Sequence, residues 1–167
     1  MNDRNAAFAG YFAARSDAMR GTAYLLCHDW HRAEDLVQTT FAKLYVAWSR
    51  IDRHESLDAY TRQTLVRTFV SELRRGWFRR ERVSESTPDT AGVGRGSAED
   101  RLVLLEALAK VPPRQRAVLV LRYWEDLSVE DTARALRCST GTVKSQAARG
   151  LRTLRGLITP QQGEKVR

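Results

Sequence analysis

The chain lacks most of what marks a membrane, secreted or metal-holding protein. None of its apolar runs approaches the roughly 18 residues that a membrane span requires. The opening segment MNDRNAAFAGYF mixes acid and base and breaks off before the apolar core of a signal peptide develops. The expected location is therefore the cytoplasm, with no membrane insertion. Cysteine is scarce: Cys27 and Cys138 are the only two, far apart and each in an apolar stretch, so both read as reduced, partly buried small hydrophobes. Cys27, His28 and His31 form a short ligand-like cluster, but adjacent helix positions point about 100° apart and no second cluster completes a tetrahedron. No metal is expected. Strand alternation and internal repeats are missing as well. There is no phosphate-cradling glycine motif, since Gly92-Val93-Gly94 lies in a low-complexity stretch, and no serine or cysteine is recognisably paired with a histidine base. An enzyme and a cofactor are both unexpected.

What is present is charge, unevenly placed. The formal net charge is +8. Residues 1–58 hold 7 basic and 8 acidic side chains, 59–82 hold 7 and 2, 83–113 hold 3 and 5, and 114–167 hold 11 and 5. Two basic segments separated by a mildly acidic one suggest two contacts with a polyanion, for which nucleic acid is the natural choice. The near-neutral N-terminal surface is left for another partner.

Helical periodicity runs through the chain. From Asp29 to Arg50 the residues Ala33, Leu36, Val37, Phe41, Leu44, Tyr45, Ala47 and Trp48 recur at helical spacing, with Asp29 placed to cap. A preceding helix is expected over about Ala6 to Leu26. Another is expected from Ser56 to about Arg75, completing a three-helix bundle. The segment RVSESTPDTAGVGRGS at 82–97 is rich in Ser, Thr, Gly and Pro and reads as a flexible linker. Beyond it, Ser97 and Asp100 resemble a capping box opening helix 98–110, and Pro112-Pro113 ends that helix and starts the next. The expected fold is all-α: two small helical domains, 1–80 and 98–158, joined by a linker at 81–97 and followed by a tail at 159–167.

The sharpest pattern is SVEDTARALRCSTGTVKSQAARGLRTLR, beginning at Ser128. Ser128 and Asp131 cap a short helix with Val129, Ala133 and Leu136 inward. A tight turn follows at Arg137 to Ser139, and a second helix starts near Thr140. Val143, Ala147 and Leu151 face inward there, with Thr142, Lys144, Gln146 and Arg149 outward. Two short helices, a short turn and a polar basic second helix describe a helix-turn-helix whose second member enters the major groove. Outward residues near its start can reach base edges, whereas Arg149 and Arg152 suit phosphates. A plain amphipathic hairpin with a solvated basic face is the blander alternative.

LAKVPPRQRAVLVLRYWEDLSVEDTARALRCSTGTVKSQAARGLRTLR at 108–155 resembles region four of the sigma-70 family, through Pro113-Arg114-Gln115-Arg116, Leu121-Arg122-Tyr123 and Gly141-Thr142-Val143-Lys144-Ser145. AEDLVQTTFAKLYVAW at 33–48 is similar to region two. Both motifs in order, with no room for a region-three domain, resemble the extracytoplasmic-function sigma factors, and RRGWFRRE at 74–81 is similar to their actinobacterial sigma-E-like branch.

That resemblance implies an RNA polymerase sigma factor, which binds core polymerase, recognises a promoter and promotes its melting. It implies polymerase docking by Asp35, Leu36, Gln38, Phe41 and Leu44, although Leu36, Phe41 and Leu44 read equally well as bundle core. It implies minus-ten contacts from Arg53, His54, Ser56, Arg62, Arg67, Arg74, Arg75 and Trp77: the arginines track the melted non-template strand, and the loop Ile51 to Ser56 receives a flipped base. Trp77 and Phe78 stack on bases or plug the helix end. Duplex contacts to the minus-thirty-five element fall to Thr140, Thr142, Lys144, Ser145, Gln146, Arg149 and Arg152. An anti-sigma factor is a further implied partner. The chain departs from the family pattern at Arg67, often asparagine; at Arg137, often glycine; and at Gln146, often arginine. The chief rival is a helix-turn-helix regulator that binds duplex DNA alone, which leaves the basic stretch at 59–82 unexplained.

Overall fold

The computed structural model describes residues 3–51, 54–76 and 97–158, with 54–56 as backbone only. Among these residues there are seven α-helices and no strand, and the chain divides into two compact units, Met1–Ser86 and Thr87–Arg167. The division falls within the sequence-predicted linker, whose own conformation lies outside the described residues, as does the tail at 159–167.

In the first unit, α1 spans Asp3–Cys27, α2 Trp30–Ala47 and α3 His54–Arg74. His28 makes the corner between α1 and α2 in a left-handed conformation, φ 57°, one that histidine adopts more readily than most side chains. Asp29 then caps α2, its carboxylate accepting from the backbone N–H of His31 at 2.8 Å and of Arg32 at 3.3 Å. Along α2 the buried positions Ala33, Leu36, Val37, Thr40, Phe41, Leu44 and Ala47 form one stripe. It packs with Leu26 of α1 and with Leu65, Val66 and Phe69 of α3, all fully or almost fully buried. Removing any one of these large side chains costs about 2–5 kcal/mol. A single 3₁₀ turn, Trp48–Arg50, carries the chain out of α2, and Phe8 packs edge-on against both Phe41 and Trp48.

In the second unit, α4 spans Ala98–Lys110, α5 Pro113–Leu119, α6 Val129–Leu136 and α7 Thr140–Ile158. Ser97 caps α4 by accepting from Asp100 N–H at 3.1 Å. Pro113 occupies the first turn of α5, where its missing N–H costs nothing. The end of α4 is closed from the next helix: buried Arg116 donates to the carbonyls of Leu108, Ala109 and Val111. A cation at a helix C-terminus answers both the orphan carbonyls and the dipole. After α5 the chain widens into a π-type turn, Val120–Trp124, with Leu121 fully buried and Tyr123 exposed.

Candidate nucleic-acid interfaces

The helix-turn-helix is assembled by local hydrogen bonds. Ser128 accepts from Asp131 N–H at 3.0 Å and so opens α6. At its other end Arg137 sits at φ 55°, ψ 48°, Arg137 N–H reaches Arg134 O at 3.3 Å and Cys138 N–H reaches Ala133 O at 3.0 Å. That pair of bonds is a Schellman motif, whose left-handed residue is usually glycine; here arginine takes it. Ser139 then caps α7, accepting from Thr142 N–H at 3.0 Å. Val118 of α5, Ala133 and Val143 form the shared core, with Val129, Leu136, Cys138 and Ala147 packed against it. Gly150 permits close approach of α5: a Cβ there would lie 3.0 Å from Leu119 Cδ1.

This packing leaves Thr140, Thr142, Lys144, Ser145, Arg149 and Arg152 exposed. Two of the hydroxyls are partly committed. Thr142 Oγ1 lies 2.9 Å from Ser139 Oγ, and Ser145 donates to Thr142 O at 3.1 Å, which fixes their rotamers while leaving lone pairs for a ligand. Gln146, expected on the outer face, is only half-exposed. It lies three residues after buried Val143 and four before buried Gly150, so helical periodicity places it at the margin of the inner face. All four charged residues of α7, Lys144, Arg149, Arg152 and Arg155, are basic, and a duplex approaching its outer face meets one sign of charge. Arg122, unassigned by sequence beyond the family match, is half-buried and donates to Leu127 O, bracing the turn into α6.

On the first unit, Asp35 and Gln38 are exposed on α2, whereas Leu36, Phe41 and Leu44 are 0–3% exposed. The last three are bundle core and present no surface to a partner. Their helix offers instead a face on which Asp35 and Gln38 share helical register with Ala42 and Val46; Val46 is 69% exposed. Sequence reading passed over Val46 because it stands off the apolar stripe. Glu72, near the end of α3, has its carboxyl pKa pushed up by burial, with Asp35 adding to the rise and Lys43, Arg75 and Arg32 opposing it.

Along α3, Arg62 and Arg67 are half-buried and Arg74 is exposed, as is Arg75 just past the helix end. Gln63, with its amide oriented to satisfy hydrogen bonding, accepts from the Arg67 guanidinium. His54 and Ser56, expected in a loop, belong to the first turn of α3. Glu55 and Asp58 in this turn favour a helix start there, because carboxylates answer its positive pole. Arg53 and Trp77, the latter with its choice between stacking and plugging, lie outside the described residues, as do the side chains of His54 and Ser56. Among the described residues no group of three or more His, Cys, Asp or Glu side chains gathers where a metal could sit, and no helix is long and apolar enough to cross a membrane.

Residues 12–79 match Sigma-70 region 2 and residues 101–154 match Sigma-70, region 4. The RNA polymerase sigma-E factor of Streptomyces coelicolor is 38% identical over 156 residues, covering 89% of this chain and 84% of that one. The sigma-E factor of Streptomyces antibioticus is 39% identical, covering 84% and 78%. The sigma factor RpoE of Bartonella quintana, solved in complex with the anti-sigma factor NepR, superposes with a TM-score of 0.72 at 26% identity, covering 90% of this chain and 96% of that one. The three-helix bundle thus carries region 2 and the unit with the helix-turn-helix carries region 4, in that order, and the chain belongs to the sigma-70 family as an RNA polymerase sigma factor of the extracytoplasmic-function type, related to the actinobacterial sigma-E branch.

Proposed function

We propose that the two units divide promoter recognition between them, and that the exposed face of α2 carries the complex on RNA polymerase core. The carrying observation is the outer face of α7, basic, polar and held by a capped and Schellman-closed helix-turn-helix. Thr140, Thr142, Lys144 and Ser145 stand at the start of that helix, where side chains reach base edges in the major groove. Gln146 reads from the margin, while Arg149 and Arg152 anchor phosphates.

In the first unit Asp35 and Gln38 dock on polymerase, with Val46 adding apolar contact. Arg62, Arg67, Arg74 and Arg75 follow the melted non-template strand of the minus-ten element, and the segment 51–56, with Arg53, His54 and Ser56, takes up an extruded base. Trp77 adds a stacking surface. The protein performs no chemistry of its own and needs no cofactor: it binds separated strands better than duplex, and that difference in affinity shifts the promoter toward the open state. It works in the cytoplasm, where polymerase is. An anti-sigma factor covering the α2 face would hold it inactive, an idea supported by the complex of the Bartonella relative.

The test is capture of purified core polymerase by the full chain. Asp35→Lys combined with Gln38→Ala weakens capture by roughly tenfold, equivalent to about 1.4 kcal/mol, with helicity unchanged. Undiminished capture by a folded variant would remove docking from this face.

A further inference from the structure

Among the described residues three that are not glycine have a left-handed backbone: His28, Asp126 and Arg137, at φ 57°, 55° and 55°. Histidine and aspartate adopt this region comparatively readily. Arginine does not, and holding it there weakens the folding equilibrium by about fivefold relative to glycine. The turn itself demands the conformation. Arg137 N–H reaches Arg134 O at 3.3 Å and Cys138 N–H reaches Ala133 O at 3.0 Å, and Cys138 packs against the helix-turn-helix core, so the backbone is held in place. Glycine would meet all of this with less strain, since none of these contacts uses the Arg137 side chain. Backbone strain that the fold does not require points to function.

The Arg137 side chain is exposed, and among the described residues no carboxylate pairs with it. Arg134, one turn earlier, is held by Asp131 at 2.6 Å. The two acids of α6, Glu130 and Asp131, lie in its first turn, at the far end of the helix from Arg137. In a helix-turn-helix the first helix crosses the phosphate backbone and the second enters the major groove by its N-terminus. The turn between them therefore passes the rim of the groove, where the phosphates stand. Arg137 sits in that turn, two residues ahead of Ser139, the cap of α7.

We infer that Arg137 is a further phosphate-binding residue, a cation placed on the rim of the major groove at the minus-thirty-five element by a turn that glycine would make more stable. This deepens the promoter-recognition reading above and rests on it. A guanidinium offers phosphate oxygens a charge-assisted fork. A phosphate contact carries no base information, so Arg137 adds affinity for every minus-thirty-five sequence alike.

The full chain, bound to core polymerase, is titrated onto duplex promoter fragments across a salt series. Wild type prefers fragments carrying a minus-thirty-five element to unrelated duplex; a wild type without that preference overturns the promoter-recognition reading and this inference together. Arg137→Gly lowers affinity roughly tenfold at low salt, a factor equal to about 1.4 kcal/mol, and reduces the salt slope by about one counterion. The fall is the same for all minus-thirty-five sequences. Its denaturant midpoint rises, so the lost affinity does not come from unfolding. Arg137→Lys retains most of the affinity and the slope, because the charge remains. Lys110→Ala, which removes an exposed cation from the last turn of α4, leaves both unchanged. An unaltered salt slope in Arg137→Gly, a lysine variant as weak as the glycine one, or an equal fall in Lys110→Ala would overturn the phosphate contact while leaving the sigma-factor assignment intact. So would a fall confined to one minus-thirty-five sequence, which would make Arg137 a base reader, or a loss of core-polymerase capture in place of DNA affinity.

Discussion

Replacing Arg116 should loosen the DNA-reading unit without touching its DNA-facing surface. Arg116 is 9% exposed as a residue, and its guanidinium donates to three carbonyls at the end of α4: Leu108 at 3.1 Å, Ala109 at 3.1 Å and Val111 at 2.9 Å. Hydrogen bonds from a charged donor contribute about 1.5–3 kcal/mol each, but the sum over three overshoots, because desolvating the cation offsets part of it. Arg116→Ala removes the charge and leaves carbonyls that water reaches only in part, so the expected loss is about 3 kcal/mol. Arg116→Lys keeps the charge but not the planar fork, and should lose about half as much. Against the roughly 5–15 kcal/mol that holds an ordinary domain together, the alanine loss is severe. Amide hydrogen exchange on the full chain resolves it by segment. Protection in α4–α7 should fall by about a hundredfold for alanine, as 1.4 kcal/mol per decade requires, with α1–α3 unaffected. A change under fivefold, or a lysine variant equal to wild type, would refute the claim that the fork closes α4.

Three further outcomes follow from local geometry. Gly150→Ala should lower the melting temperature despite a helix-propensity gain of about 1 kcal/mol, because its Cβ would lie 3.0 Å from Leu119 Cδ1; Gly156→Ala, with nothing within 4 Å, should raise it. Arg137→Gly should stabilise the second unit by about 1 kcal/mol, read by denaturant midpoint, because the left-handed turn at φ 55° suits glycine. Glu72 is raised chiefly by burial: a carboxyl above its unfolded value favours folding when protonated and loses that contribution as pH rises through its folded pKa. Glu72→Gln should therefore gain stability relative to wild type at neutral pH, and the gain should vanish as pH falls through and below the carboxylate range; an equal gain at both ends would contradict the assignment.

Local signals were the legible part of the chain. Asp29, Ser97 and Ser128 announce helix starts because a cap acts within three residues of itself, and each makes the expected backbone bond. The core stripe of α2 and the inner face of the helix-turn-helix follow from a 3.6-residue period. Periodicity does not say which of two apolar roles a residue plays, so Leu36, Phe41 and Leu44 stayed ambiguous until burial assigned them to the core. Nor does it resolve a margin: spacing puts Gln146 outward, and the structure leaves it half-exposed. The Tyr11 hydroxyl donates to Asp58 Oδ1 at 2.8 Å across 47 residues of sequence, and no spacing rule predicts that bond. Arg116 carried a family match whose structural reason, a reach of eight residues back to Leu108, appears only in three dimensions.

Transcription by core polymerase from matched duplex and premelted promoters across a salt series tests the division of labour most directly. Arg149→Ala should weaken every minus-thirty-five sequence alike and lower the salt slope by about one counterion. Arg74→Ala with Arg75→Ala should spare duplex binding yet impair opening, and a premelted template should restore part of the activity. Loss of duplex affinity in the Arg74 and Arg75 variant, with no rescue by the premelted template, would assign those arginines to duplex anchoring and contradict the account.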